Sequence, residues 1–355
     1  MKTVLLAPLP PPYGGIAEWT QRMLSAQLKN GWTLDIVDER VSERRGAYTK
    51  KRNIKEEILR SFRIWCELNR KLADADARVV HCCIPATPFA MIREYVSCCI
   101  TKFHRRKFIV HFRCTVPNMV KGRFQRSILK TLCQKSDYLM VLNHQTKQYL
   151  EAITDTPCAL IPNFVDSSEM SIGENYEVRK EICRAIYVGG VMPSKGCDDI
   201  LRMASELPSI QFEMIGKVDN RIKEWVEEKK LQNVILPGTM QHDEVLKHIE
   251  NADVFVFLSH YEGEGFSNAL LEAMSIGLPC IVSDWAANKD MIESHGGVVV
   301  PVQDGEAAVQ AMRYMSPVET RKRMSQWNRS KVETTYAANI VTDMYVRVYD
   351  ELVLQ

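Results

Sequence analysis

No apolar run in this sequence is long enough to cross a bilayer, which takes about 20 residues. The opening segment, MKTVLLAPLPPPYGG, gathers only Val4–Ala7 and Leu9 before prolines break it, too little for the core of a signal peptide. A chain without a leader or a membrane helix, and so a cytoplasmic one, is expected. No two of the eleven cysteines stand in a Cys-any-any-Cys spacing, which removes the commonest zinc frameworks. The adjacent pairs Cys82-Cys83 and Cys98-Cys99 then read as reduced, buried filler, and the sequon Asn328-Arg329-Ser330 as chance. The spacings of the P-loop and of the dinucleotide fingerprint are missing too. Low-complexity tracts and internal repeats are absent. Between Lys102 and Lys130 there is no acidic residue at all.

What is present is an ordinary globular composition, 46% hydrophobic and 25% charged. At 355 residues the chain is too long for one typical core, so two domains of about 170 residues are expected. Charge is split between them. Residues 1–170 hold 27 Lys and Arg against 16 Asp and Glu, a net of +11, and the remainder holds 19 against 28, a net of −9. Within the first half, residues 40–71 carry 11 basic and 4 acidic residues, interleaved with Tyr48, Ile54, Ile58, Leu59, Phe62, Ile64, Trp65 and Leu68. A basic helix with an apolar face suits an anionic membrane surface or a phosphorylated partner. A solvated helix with packing aromatics is the alternative. Nucleic acid is not expected as a partner, because no recognisable binding motif accompanies the charge.

Short apolar strands alternate with helical segments along the whole chain. Strands are predicted at residues 3–7, 33–37, 79–81, 108–112, 138–142 and 159–161, then at 185–188, 212–215, 234–236, 254–258, 280–282 and 297–300. This alternation means an α/β protein with two doubly wound parallel sheets. The polar, acidic stretch VDSSEMSIGENYEVRKE marks the boundary, giving domains over 1–170 and 171–335. Residues 336–355 form an amphipathic helix that returns to the first domain. Ligands of such sheets bind beyond the carboxyl ends of the strands, so the cleft between the two sheets is the expected site.

The strongest chemical signal is YEGEGFSNALLEAMSIGLP at residues 261–279. Ser267 is a good N-cap, and Gly277 and Pro279 stop the helix that follows. Glu272 is the only charge in that helix and needs hydrogen-bond partners if buried. Glu264 precedes the helix between Gly263 and Gly265, where the backbone can approach a ligand and free amides favour an anion. Carboxylates for hydroxyls and amides for phosphate suit a polyhydroxylated, phosphorylated ligand. The alternative is a solvated loop residue and a surface residue. Each half also has a strand, a glycine turn and a helix start in succession, an anion-binding arrangement: Gly14-Gly15 in the first half, and GGVMPSKG with Lys195 in the second.

These residues resemble the retaining glycosyltransferases of the GT-B fold, family 4. The resemblance rests on Glu264 and Glu272 followed by AMSIGLPCIVSD, on Lys195-Gly196, on the segment IPNFVD, and on the Gly14-Gly15 loop. It implies two Rossmann-like domains facing a central cleft, with a nucleotide-sugar donor held by the second and an acceptor by the first. Glu272 would then accept from the ribose hydroxyls. Lys195 would neutralise the diphosphate, and Glu264 with the amides of Gly265, Phe266 and Ser267 would position the donor sugar. His111 matches the family's first-domain histidine near the reacting sugar, although a buried structural histidine fits the sequence as well. Gly14 and Gly15 would line the phosphate or acceptor side. Many members carry an arginine where this chain has Gly190, and NGVD reads NFVD here. The resemblance further implies catalysis by electrostatic stabilisation of the leaving nucleoside diphosphate, with no cofactor and no metal. The expectation is a transferase of bacterial surface polysaccharide synthesis, working on a glycan or lipid-linked glycan at the inner face of the membrane. A non-catalytic subunit that binds or regulates a partner transferase, and a sugar-nucleotide epimerase, are the competing readings.

Overall fold

The computed structural model describes residues 1–12, 14–40, 54–173 and 176–354. The chain folds as two compact units, residues 1–163 with 339–355, and residues 164–338.

The first unit is built on a six-stranded parallel sheet of β1 (Lys2–Ala7), β2 (Thr33–Asp38), β3 (Ala77–Ile84), β4 (Lys107–Phe112), β5 (Tyr138–Val141) and β6 (Cys158–Leu160). Their order is β2-β1-β3-β4-β5-β6. The crossovers include α1 (Gly15–Ser25), α2 (Ile54–Leu72), α3 (Pro88–Phe103), α4 (Val116–Met119), α5 (Arg123–Lys135) and α6 (His144–Glu151). Strands covered on both faces must be apolar throughout, and β1 and β4 bury every residue after their first. The C-terminal helix, Ala338–Leu354, belongs to this unit: Trp19 Nε1 donates to the Tyr345 hydroxyl at 3.2 Å, and Trp32 Nε1 to Asp350 at 2.7 Å.

The second unit repeats the plan with β7 (Arg184–Val188), β8 (Gln211–Ile215), β9 (Val234–Gly238), β10 (Val254–Phe257), β11 (Cys280–Ser283) and β12 (Gly297–Val300), ordered β12-β11-β10-β7-β8-β9. Its helices are α7 (Ser167–Ile172), α8 (Cys197–Glu206), α9 (Asn220–Lys229), α10 (His242–Glu250), α11 (Asn268–Ile276), α12 (Asn288–Ile292), α13 (Gly305–Tyr314) and α14 (Val318–Lys331). All twelve predicted strands are present, and the ends differ by a few residues. β7 and β10 are neighbours from which the chain winds in opposite directions, so the loops leaving their carboxyl ends part and open a crevice. The corresponding switch in the first unit lies between β1 and β3.

The predicted helix of the glutamate motif forms where its caps dictate. Ser267 caps α11 by accepting from the Leu270 amide at 3.2 Å, and Gly277 ends it in the left-handed region at φ 102°. All eleven cysteines are free. The sequon asparagine, Asn328, is fully buried and donates to the carbonyls of Leu278 and Gly296 at 2.7 and 2.8 Å. Of the basic stretch, residues 41–53 lie outside the described residues.

Candidate functional site

At the switch point of the second sheet, the loop after β7 and the loop after β10 meet. The first runs through Pro193–Lys195 to Gly196, which has φ 72°. A Cβ there would stand 2.1 Å from the Leu258 carbonyl oxygen, so both the backbone angle and the approach of the second loop require glycine. The His260 amide donates to the Ser194 carbonyl at 3.1 Å and fastens the two loops together. This places Lys195 Nζ 2.6 Å from Glu264 Oε2 and 4.5 Å above the Tyr261 ring. The Ser259 hydroxyl donates to the same Glu264 oxygen at 3.1 Å. A cation and a carboxylate from loops 69 positions apart are thus held as one group beyond the ends of β7 and β10.

Glu272 is 4% exposed, as an apolar helix around it requires, and one of its partners is a histidine. His242 Nε2, in the first turn of α10, lies 3.2 Å from Glu272 Oε1 and 3.7 Å from Glu169 Oε1. Glu169 in turn closes a capping box at the start of α7, accepting from the Asp166 amide at 3.0 Å. Gly265, Phe266 and Ser267 are buried between the two glutamates, Phe266 edge-on to Tyr336 with ring centroids 5.6 Å apart. Gly190, where the family resemblance leads an arginine to be expected, has an ordinary backbone conformation. A Cβ there would meet only the Met192 methyl at 2.8 Å, and Tyr187 donates to its carbonyl at 2.9 Å.

In the first unit Gly14 and Gly15 are exposed at the start of α1. Gly14 is extended at φ 179°, and a Cβ on either glycine would meet nothing within 4 Å. Among the described residues neither packing nor backbone strain demands glycine there. His111 is fully buried near the end of β4. Its Nδ1 lies 3.1 Å from His81 Nε2 and its Nε2 lies 3.2 Å from Arg113 Nη1. His81 Nδ1 lies 2.7 Å from the Tyr349 hydroxyl. A guanidinium only donates, so His111 Nε2 accepts, His111 Nδ1–H donates to His81, and His81 Nδ1–H donates to Tyr349. Both rings are therefore neutral. Burial and then the Arg113 charge push His81 down to about 3 and His111 well below the usual range.

Two trios among the described residues come within reach of a common ion, His81 with Cys83 and His111, and Glu169 with His242 and Glu272. The first is unsuited to one. A metal would need the lone pair of His111 Nδ1, which would turn the Nε2 proton toward the Arg113 donor, and burial raises the Cys83 thiol to about 12. The chain also carries an Asp-any-Asp triplet, Asp74-Ala75-Asp76, that sequence reading passed over. It sits at the amino end of β3, opposite to the ligand end of the sheet, with Asp74 paired to Lys2 at 2.5 Å. The other residues that sequence reasoning missed are His242, Glu169, Ser259, Tyr261, His81 and Arg113.

Residues 174–331 match the family described as Glycosyl transferases group 1, and residues 13–169 match Glycosyltransferase Family 4. Between them they take in most of the chain, which belongs to the GT-B glycosyltransferases of family 4. Among curated relatives, O-antigen chain mannosyltransferase C of Escherichia coli is 24% identical over 61% of this chain and 66% of its own length. The putative colanic acid biosynthesis glycosyltransferase WcaL of E. coli K12 is 27% identical over 36% of this chain and 33% of its own. The chain thus spans between a third and two thirds of these relatives. Two solved structures share the fold at low identity. Sucrose-phosphate synthase from Thermosynechococcus elongatus has a TM-score of 0.79 at 16% identity, covering 99% of this chain and 98% of its own. Anabaena Alr3699/HepE in complex with UDP has 0.74 at 10%, covering 99% and 100%.

Proposed function

We propose that this chain transfers a sugar, with retention of configuration, from a nucleotide-sugar donor to a glycan in bacterial surface polysaccharide synthesis. The observation that carries this reading is the pairing of Lys195 with Glu264 at the switch point of the second sheet, beside a helix that buries Glu272. Lys195 supplies the positive charge for a diphosphate, Glu264 meets the donor sugar, and Glu272 accepts from the ribose hydroxyls once His242 yields its place. The amides of Gly265, Phe266 and Ser267 would help to position the donor sugar and phosphate, and no metal is invoked. Support comes from relatives named for O-antigen, colanic acid and amylovoran, and from a neighbour that holds UDP.

The test is thermal stabilisation by a panel of UDP-, GDP-, ADP- and dTDP-sugars. A ligand at ~100 times its dissociation constant adds about 2.7 kcal/mol. One responder is expected, with its affinity at least tenfold lower in Glu272→Ala, so that the stabilisation falls to about half or less; equal responses in wild type and variant remove Glu272 from the site. Gly190 motivates a second reading, a non-catalytic subunit that partners a transferase, because one of two expected cations is replaced. Silence across the panel favours it. An epimerase would convert the donor with no acceptor present.

The acceptor in this reading is lipid-linked, and the first unit meets an anionic membrane at its inner face. No described helix is long and apolar enough to cross a bilayer. On α2, however, Ile54, Ile58 and Phe62 recur every fourth residue beside Leu59, all at least 55% exposed, with Lys55 and Arg63 one turn either side of Leu59. Phe124 stands on α5 among exposed Arg123, Arg126 and Lys130. The double change Leu59→Asp with Phe62→Asp is expected to lower binding to phosphatidylglycerol vesicles at least tenfold in a sedimentation assay. No binding by the wild type would remove the membrane from the reading.

A further inference from the structure

Arg113 is a buried cation whose described partners include no carboxylate. It follows β4 and is 7% exposed. Its guanidinium lies 4.5 Å above the indole of Trp19, one turn into the helix that Gly14-Gly15 opens. Nη1 donates to His111 and Nη2 donates to Asn163 Oδ1 at 2.5 Å, while the Tyr345 hydroxyl makes a further hydrogen bond. Nε, fully buried, has no acceptor among the described residues. Two other buried arginines, Arg93 and Arg321, both have their Nε met. Arg93 lies between the carboxylates of Glu39 and Glu94, and Arg321 donates to the carbonyls of Met315, Arg179 and Lys180.

Burial lowers the Arg113 pKa, but an arginine stays charged, and a desolvated charge without a counter-ion costs several kcal/mol. Both histidines beside it are neutral and cannot compensate. The network from Tyr349 through His81 and His111 holds the guanidinium in one orientation. Asn163, an uncharged acceptor, stands where a buried arginine would ordinarily meet a carboxylate.

We propose that Arg113 binds an anionic group of the acceptor, a phosphate or carboxylate oxygen that takes the place of Asn163 Oδ1 and uses the unmet Nε donor in a forked contact. The proposal rests on the glycosyltransferase reading for what the anion belongs to, and not for its binding. The site lies at the carboxyl end of the first sheet, as Gly14-Gly15 does, and in the basic half of the chain. The anion has two sources, the phosphate of a lipid carrier or the carboxylate of an acidic sugar.

The experiment titrates farnesyl diphosphate, inorganic phosphate and glucuronate separately into the full-length Lys195→Ala protein, so that binding at the donor phosphates does not contribute, and then into the same protein carrying Arg113→Gln or Arg113→Lys. One probe is expected to bind, at least tenfold more weakly with Arg113→Gln and to an intermediate degree with Arg113→Lys. The farnesyl and phosphate arms against the glucuronate arm separate the two sources. Without an anion, Arg113→Gln is expected to melt no lower than its parent, because it removes an unpaired buried charge. Probe binding that ignores Arg113, no binding by any probe, or a large loss of stability in Arg113→Gln with unchanged binding would overturn the proposal. The donor panel is read on the Lys195-intact Arg113→Gln protein. A donor response there without any probe binding would end this proposal and leave the transferase reading standing.

Discussion

Lys195→Ala is expected to slow sugar transfer by roughly 10² or more, by analogy with removing one group that stabilises transition-state charge. In free energy this is about 3 kcal/mol of lost stabilisation at 1.36 kcal/mol per tenfold. The departing nucleoside diphosphate gains negative charge as the glycosidic bond breaks. Lys195 Nζ is held at the switch point by Glu264 at 2.6 Å and by the Tyr261 ring. Stability should hardly change, since the pair is partly solvated and such pairs contribute about 0–1 kcal/mol. The two readouts therefore separate. Steady-state rates fall while the melting temperature stays within a degree or two, and Lys195→Arg recovers part of the rate because charge is kept and only geometry is lost. Glu264→Gln should act in the same direction, and the double variant should lose less than the product of the single losses, because each residue fixes the other. A Lys195→Ala enzyme with unchanged kcat/KM would remove the lysine from the chemistry.

How much of this could be read from the sequence follows from how local the causes are. The strand VFVF at Val254–Phe257 is apolar at each position because the sheet is covered on both faces, and that is visible in four letters. The bounds of α11 are visible for the same reason, since Ser267 and Gly277 act on amides within one turn. Glu272 stood out because apolar neighbours made a lone carboxylate conspicuous, and Glu264 because glycines flank it just ahead of a helix start. Their partners were not legible. His242 reaches Glu272 across 30 residues and His81 reaches His111 across 30, through the placement of α10 against α11 and the register that sets Cys83 beside His111. No spacing along the chain encodes such a meeting. Arg113 is a further case, because in sequence it is one cation among the 27 of the first half, and only the fold shows that it is buried with no carboxylate among its described partners. The resemblance to a family brought His111 to notice, whereas the structure shows it enclosed between His81 and Arg113.

The stability of the first unit is expected to fall as pH rises from about 4.5 to about 8, against the usual trend for proteins whose carboxylates are paired. Glu39, just after β2, is 4% exposed and shares Arg93 with Glu94, a second buried carboxylate, while Arg60 donates to the Glu39 carbonyl at 3.0 Å and to Glu57 at 2.6 Å. Oε1 of Glu39 and Oε2 of Glu94 have no donor from elsewhere among the described residues. Two carboxylates facing one guanidinium leave an excess negative charge in a dry site. Burial first, opposed by Arg93 and reinforced by Glu94, raises the Glu39 pKa to about 8. The folded chain thus holds a proton that the unfolded chain releases near 4.5, so the stabilisation is complete below that pH and is lost as pH rises through the folded value. At about 1.4 kcal/mol per pH unit, the loss across the window is a few kcal/mol at most, or a melting temperature lower by roughly 5–10 °C at pH 8.5 than at pH 5. Glu39→Gln keeps a hydrogen-bond donor where the protonated carboxyl stood and cannot ionise. It should melt near the wild type at pH 5 and above it at pH 8.5. Parallel melting curves for the two proteins across this range would show that the pair shares no proton, and that Arg93 alone balances both carboxylates.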